Sequence, residues 1–303
     1  MNNSIIDKAK QTWNEIDINQ VRDVAWCSIS FFGRKLAKSF SGEESSVSLI
    51  HHLLVQRLPA ERLNNLKGTA IVCGDMQAER GFFEDNSIVK FQQVDGFDLS
   101  DISLARYTPD ENISFTPHVI DCNNLVLERD CYDLIVGCHG IHHIYNLGNT
   151  FYQAHKALTD GGLIYLYEWI GLEYLQIPRI NHIFAAILLF LLFPSKSIRT
   201  THMGKVKGFW IQHSPNEFDP SEACNSQELL KQFEKYFQPI KIVFHGGLTY
   251  PIFEGIAQNI DQTKLINKLR IQIVYYLEVI LTKLKIIKPC FMAVIAEKKI
   301  INH

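Results

Sequence analysis

The spacing of apolar residues changes character near residue 69. Upstream, Trp13, Ile16, Leu53 and Leu54 recur at roughly helical spacing and Pro59 closes the segment, so residues 5–60 predict a helical cover. From 69 onward, short apolar runs near 69–73, 93–98, 115–120, 133–138 and 162–168 read as strands. Helical segments near 77–84, 101–106 and 149–158 separate them, and Asp160-Gly161-Gly162 marks a turn before the fifth. Strands alternating with helices predict a parallel sheet covered on both faces. Further on come an apolar run at 183–193 ending at Pro194 and a looser stretch over 195–220. A helix is expected over about 226–236, capped by Asn225 or Ser226 with Glu228 in its first turn. A strand at 240–245 then ends at Gly246-Gly247, a long helix covers 262–286, and Pro289 precedes a last strand at 291–297. No internal repeat or low-complexity tract is visible.

Composition narrows the function classes. A chain of 303 residues holds one large domain or one domain with an elaborated cap. Hydrophobic content of 47% and charged content of 20% argue against disorder. The formal charge of −2 gives no electrostatic reason to expect nucleic acid, and no stretch interleaves aromatic and basic residues for that purpose. The charge is uneven, however: residues 262–303 hold eight Lys/Arg against Glu278 and Glu297. Seven cysteines without framework spacing, and a polar rather than charged-then-apolar start (MNNSIIDKAKQTWNE), favour a reducing, cytoplasmic setting. The run 183–193 has eleven residues, whereas a spanning helix needs about 20.

Candidate chemistry gathers where strands end. Residues 70–98 read as strand, tight turn, short helix and a second strand closing on Asp98, the front half of a nucleoside-cofactor site. The Asp98 carboxylate can accept from both ribose hydroxyls; the alternative is a helix cap, for which Ser100 is also available. Only Gly74 remains where such turns usually carry several small residues, with Val72 and Met76 beside it. A non-glycine residue in a left-handed conformation costs roughly 1–2 kcal/mol, and a β-branched one is the worst candidate. His139, His142 and His143 follow the fourth strand, and Glu168 ends the fifth at the same edge. His139 and His143 are four apart, on one face if the segment is helical. His139, His143 or Glu168 is therefore expected as a base or positioning group at this edge, with His213, Glu222 and His245 further off. The compact set Cys138, His139, His142 and His143 lacks a second ligand pair, so no metal is expected. Cys138 reads as a small buried residue rather than a nucleophile.

The segments VCGDMQAE (72–79), VDGFDLS (94–100), YDLIVGCHGIHHI (132–144), ALTDGGLIYLYEW (157–169), FDPSEACNSQELLKQFEKYF (218–237) and HGGLTYPIFEGIAQN (245–259) together resemble class I S-adenosylmethionine (SAM) dependent methyltransferases. The likeness is greatest to a bacterial subgroup with a GCGDG loop and a DPSEA segment, and it covers roughly 20–300. It implies an α/β, Rossmann-like seven-stranded sheet whose last strand is antiparallel, with a helical cover over 1–66. The remaining domain is expected over 67–300, with a cap inserted over about 170–225. SAM is the implied cofactor, with Cys73, Gly74, Asp75, Glu79, Asp98, Leu99, Asp121, Cys122 and Cys138 as its contacts. The implied activity is methyl transfer to a small-molecule, glycan or lipid-like acceptor at oxygen. Two alternatives keep the fold: a non-methylating cyclisation or elimination, and a catalytically inactive partner subunit. The run 183–193, followed by Lys196, Arg199, Lys205 and Lys207, suits a buried cap helix, a dimer contact or a peripheral membrane contact.

Overall fold

The computed structural model describes residues 3–15, 24–42, 45–208 and 219–300. Seven strands form one sheet: β1 (Leu66–Ile71), β2 (Phe91–Asp98), β3 (Ser114–Val119), β4 (Tyr132–Cys138), β5 (Leu158–Trp169), β6 (Phe237–His245) and β7 (Phe291–Lys298). Their order is β3-β2-β1-β4-β5-β7-β6. The first five run parallel, and β7 inserts antiparallel between β5 and β6. This is the Rossmann-like α/β sheet expected above, last strand included. The two-residue period explains why the central strands read as unbroken apolar runs. Leu134 and Val136 of β4 face one core while Ile135 faces the other, and all seven residues of the strand are buried.

Helices α1 (Asn3–Glu15), α2 (Ser30–Ser41) and α3 (Ser46–Arg57) make up the N-terminal cover. The Ser45 hydroxyl accepts from the Ser48 N–H at the start of α3, and α2 and α3 deliver Phe40, Ile50 and Leu54 to the first core. Between the early strands lie α4 (Arg80–Glu84), α5 (Asp101–Ala105) and α6 (Leu147–Ala157). Helix α4 starts later than the expected 77–84 because tight turns occupy the preceding residues, where the Met76 N–H donates to the Cys73 carbonyl and the Arg80 N–H to that of Met76. On the opposite sheet face, α6 supplies Phe151 and Ala154.

The cap has its own core, where Trp26, Trp169, Phe193 and Phe253 meet. It contains α7 (Arg179–Leu192) and α8 (Lys196–Arg199), joined by α10 (Thr249–Phe253) and α11 (Leu265–Lys283); the intervening α9 (Ser226–Tyr236) lies outside it and packs Leu229 and Phe233 beside α6 on the sheet. Helix α7 buries Ala185, Ala186 and Leu189 and exposes Ile183, Ile187, Phe190 and Leu191. The basic face expected beside it is only half present. Arg199 is buried, its guanidinium 4.4 Å from the Phe190 ring centroid and bonded to the Lys207 carbonyl. Lys207 is buried too, donating to the carbonyls of Pro251, Ile252 and Glu254. These two cations fasten α10 and the cap loop rather than face solvent. Helix α11 buries Ile271, Val274 and Glu278 and exposes Leu265, Leu269, Ile273, Tyr276, Ile280 and Leu284. It therefore packs by one face only. Among the described residues no helix is long and apolar enough to cross a membrane.

Candidate functional site

A cavity of about 400 Å³ opens at the carboxyl ends of β1, β2 and β4, the edge where doubly wound sheets bind ligands. Helix α1 roofs it with Ile6, Ala9, Lys10 and Trp13, and Trp26 and Tyr250 close the cap side. The Trp13 indole donates to the Asp219 Oδ2 at 2.7 Å, and Lys10 pairs with Asp101 at 2.9 Å.

One half of the cavity is built from the β1–α4 loop. Val72 and Met76 both sit at positive φ, 55° and 62°, as does Gly74 at 51°. The chain thus keeps the left-handed turns although the two positions carry side chains. Met76 is fully buried in the first core and does not reach over the cavity, whereas Val72 lines it. The opposing loop is shaped to fit: a Cβ at Gly140 would lie 2.2 Å from the Val72 carbonyl oxygen. Asp98 lines the cavity at the end of β2. It accepts from the Gly74 N–H through Oδ2 and from the Ser100 N–H through Oδ1, both at 2.8 Å. Ser100, not Asp98, caps α5. Burial pushes the Asp98 carboxyl up, against the two backbone N–H groups that favour its charged form. Asp75, Leu99 and Cys122 line the same half. Asp121 also lines it, but caps the short turn 122–124 by accepting from the Asn123 N–H and side chain and from Asn124. Glu79 is buried and its carboxyl is pushed well above the ordinary range by desolvation, which favours the neutral acid. Burial likewise holds the thiols of Cys73 and Cys138 far above their ordinary value, so Cys138 is no thiolate nucleophile.

The other half is a histidine–carboxylate cluster. His139 has a left-handed φ of 59° and precedes the single turn Ile141–His143, so the helical face imagined for His139 and His143 does not form. Instead His139 packs edge-on against Tyr167, 4.4 Å between centroids, with the rest of the ring exposed in the cavity, and partial desolvation lowers its pKa. His142 donates through Nδ1 to the Glu168 Oε2 at 2.7 Å and through Nε2 to the Glu222 Oε1 at 3.1 Å. Burial disfavours a charged ring there, but the charge and hydrogen bonds of Glu168 and Glu222 prevail and push it up to about 10. Glu168 lies behind this layer, fully buried, and its Oε1 also accepts from the N–H groups of Gly140 and Ile141 at 2.8 Å each. His143 meets the Ser221 Oγ at 3.0 Å and the Asp219 Oδ2 at 3.3 Å through Nδ1, and its Nε2 lies 3.9 Å from the Glu222 Oε2.

Of the twelve residues singled out in sequence, all but Glu168 line the cavity. Glu222, expected further off, belongs to the cluster. His245 is half-buried, stacked on Tyr167 and Phe291, and His213 lies outside the described residues. Asp219 and the pairing of His142 were not anticipated, because both depend on the 219–224 segment folding back onto the β4 edge. The acids of the DPSEA segment were the available signal.

No family model and no curated protein matches the chain. Solved structures with a similar course include geranyl diphosphate C-methyltransferase from Streptomyces coelicolor A3(2), solved with Mg2+, geranyl diphosphate and S-adenosyl-L-homocysteine: 12% identity over 97% of this chain and 98% of that one, TM-score 0.48. The cyclopropane synthase MmaA2 from Mycobacterium tuberculosis has 14% identity over 94% and 99%, TM-score 0.47. The cyclase SpnF has 13% identity over 94% and 96%, TM-score 0.44. Likeness at this level assigns neither ligand nor activity to this chain.

Proposed function

We propose that the protein is a SAM-dependent methyltransferase acting at oxygen on a small-molecule, glycan or lipid-like acceptor. The observation that carries this reading is one cavity with two chemically distinct halves, a nucleoside-type half at β1–β2 and a histidine–carboxylate half after β4. The residues fit the cofactor. The volume lies within the range of ligand pockets, roughly 300–1,000 Å³. Each Asp98 oxygen accepts one backbone N–H and retains acceptor capacity for a ribose diol. When bound, SAM supplies an electrophilic methyl group on a sulfonium sulfur. Gly74, Asp75, Asp98 and Leu99 would hold its nucleoside and amino-acid portions, with Asp121 and Cys122 beside the base. Trp13 and α1 exclude water from above. On the acceptor side, His143 is oriented through Nδ1 by Ser221 and Asp219, which leaves Nε2 to take a proton from a hydroxyl. Glu168 acts as a positioning group: its oxygens hold His142 and the Gly140–Ile141 turn and do not face the cavity.

A calorimetric titration of the folded chain with SAM and with its demethylated product tests the reading. One site for each ligand is expected; no heat with either sinks it. A second reading, cyclisation or elimination without methyl transfer, draws on the cationic His142, a fixed positive charge suited to developing negative charge. It predicts product without stoichiometric demethylated cofactor.

The surface supports a lipid contact through α11 more than through 183–193. Its apolar stripe is flanked by the exposed Lys264, Lys268, Lys283 and Lys285, while Glu278, the one acid of that helix, is buried. Apolar side chains bordered by cations suit an anionic membrane surface.

A further inference from the structure

We propose that His142, His143 and Glu222 form a site for one divalent transition-metal ion, of the class zinc and cobalt represent, opening onto the acceptor half of the cavity. Three features support it. First, the ligand atoms converge: one ring nitrogen each of His142 and His143 and a Glu222 oxygen all lie within 4.8 Å of one another. Ligands around one such ion sit roughly 3.0–3.5 Å apart, given metal–ligand bonds near 2.0–2.2 Å, so closing the site takes a shift of about an ångström.

Second, both imidazoles are held from behind in the way metal-binding histidines are. Such rings usually donate their other N–H to a carboxylate or similar acceptor, which fixes the tautomer and aims the free nitrogen at the ion. Here the Nδ1 of His142 is anchored on Glu168 at 2.7 Å, and the Nδ1 of His143 on Ser221 at 3.0 Å and Asp219 at 3.3 Å. In both rings Nε2 is turned to the same Glu222 carboxylate, at 3.1 and 3.9 Å.

Third, the charges call for a cation. Glu168, Glu222 and Asp219 place three carboxylates around two histidines in a largely buried cluster, so the acids outnumber the protonated ring of His142; a bound ion would displace the proton from His142 Nε2 and supply the second positive charge in its place. Two imidazoles and one carboxylate, with the remaining positions facing a cavity, make an open site of the kind that binds substrate oxygen. The ligand it would take in the cavity is a hydroxyl, enolate or carboxylate oxygen of the acceptor. With the ion in place His143 Nε2 is a ligand, and lowering the pKa of a bound hydroxyl falls to the metal. Sequence reasoning missed the site because it grouped His142 and His143 with Cys138 and His139; the structure pairs them with Glu222 instead. The site does not depend on SAM being bound or consumed.

The test uses the full chain, stripped with a chelator and titrated separately with Co2+, Zn2+ and Mg2+. One Co2+ per chain with visible d–d bands, displaced by Zn2+, is expected. His143→Ala and Glu222→Gln should each weaken Co2+ binding at least 10–100-fold, while His52→Ala, on the exposed face of α3, leaves it unchanged. Circular dichroism confirms that each variant is folded, and the near-isosteric Glu222→Gln serves if His143→Ala is not. No Co2+ or Zn2+ binding by the folded wild type, Mg2+ binding alone, or equal Co2+ affinity in wild type and Glu222→Gln would overturn the proposal. A parallel SAM titration of the metal-free chain separates this outcome from failure of the methyltransferase reading.

Discussion

Val72 and Met76 show how strain at single residues bears on the cofactor loop. In sequence, two residues with side chains stand in a turn that usually carries small ones. The structure locates the cost. Both residues hold positive φ in the folded chain, so the roughly 1–2 kcal/mol per residue is set against folding stability. Val72→Gly is therefore expected to change stability by less than about 1 kcal/mol, relief of strain offsetting the lost, partly buried side chain. Its SAM affinity should stay within about threefold of wild type. Met76→Gly removes a fully buried side chain and should destabilise by roughly 2–4 kcal/mol. Denaturant melts and calorimetry on both variants check this; a large affinity gain in Val72→Gly would mean the loop must still rearrange to bind. Asp98→Ala removes two hydrogen bonds within the protein along with the proposed diol contact. It should weaken SAM about 10–100-fold, the scale of losing hydrogen bonds to a charged group.

At the scale of elements, the site depends on two loops touching. The β1–α4 loop and the turn after β4 meet at Val72 and Gly140, where an added Cβ would overlap a backbone oxygen. Gly140→Ala is expected to destabilise by about 1–3 kcal/mol, as overpacking does, and to loosen both cavity halves together, read as lower Tm and weaker SAM binding in one variant. The strands were legible because a two-residue period inside a covered sheet leaves continuous apolar runs, and each of the seven expected segments overlaps one of β1–β7, the first running two residues past Ile71 into the loop. The nucleoside half was legible for a related reason: its residues lie on contiguous strand ends. The acceptor half was not. His142 acquires its role from Glu168 at the end of β5 and Glu222 in the cap, contacts 26 and 80 residues away in sequence. Arg199 and Lys207 likewise look like solvent-facing cations in sequence, yet backbone carbonyls bind both inside the cap.

For the molecule as a whole, a neutral histidine makes stability depend on pH. His245 stacks on both Tyr167 and Phe291, which also touch each other, with no partner for its Nε2 among the described residues. Burial, then the neighbouring His139, lower its pKa to about 3, and Tyr167 facing it stays a neutral phenol because burial raises its pKa. The unfolded chain takes up this proton near pH 6.5 and the folded chain does not. Between about pH 3 and 6.5 the unfolded state is the more protonated one, so stability falls as pH falls through that window. The loss from His245 alone should reach about 2 kcal/mol at pH 5. His245→Phe should flatten the decline in urea melts between pH 7 and 5; an unchanged slope would assign the acid sensitivity to other groups. At the surface, the stripe on α11 predicts sedimentation with anionic but not neutral vesicles, reduced by Lys268→Glu with Lys285→Glu.

The central claim is that one cavity holds a SAM-type ligand with its reactive end toward the histidines. A crystal structure of the chain soaked with S-adenosyl-L-homocysteine tests it most directly. The ribose is predicted against Asp98, the amino-acid end along Gly74 and Asp75, and the sulfur turned toward His142 and His143. Density for the ligand outside this cavity, or an empty cavity at saturating ligand, would contradict the account.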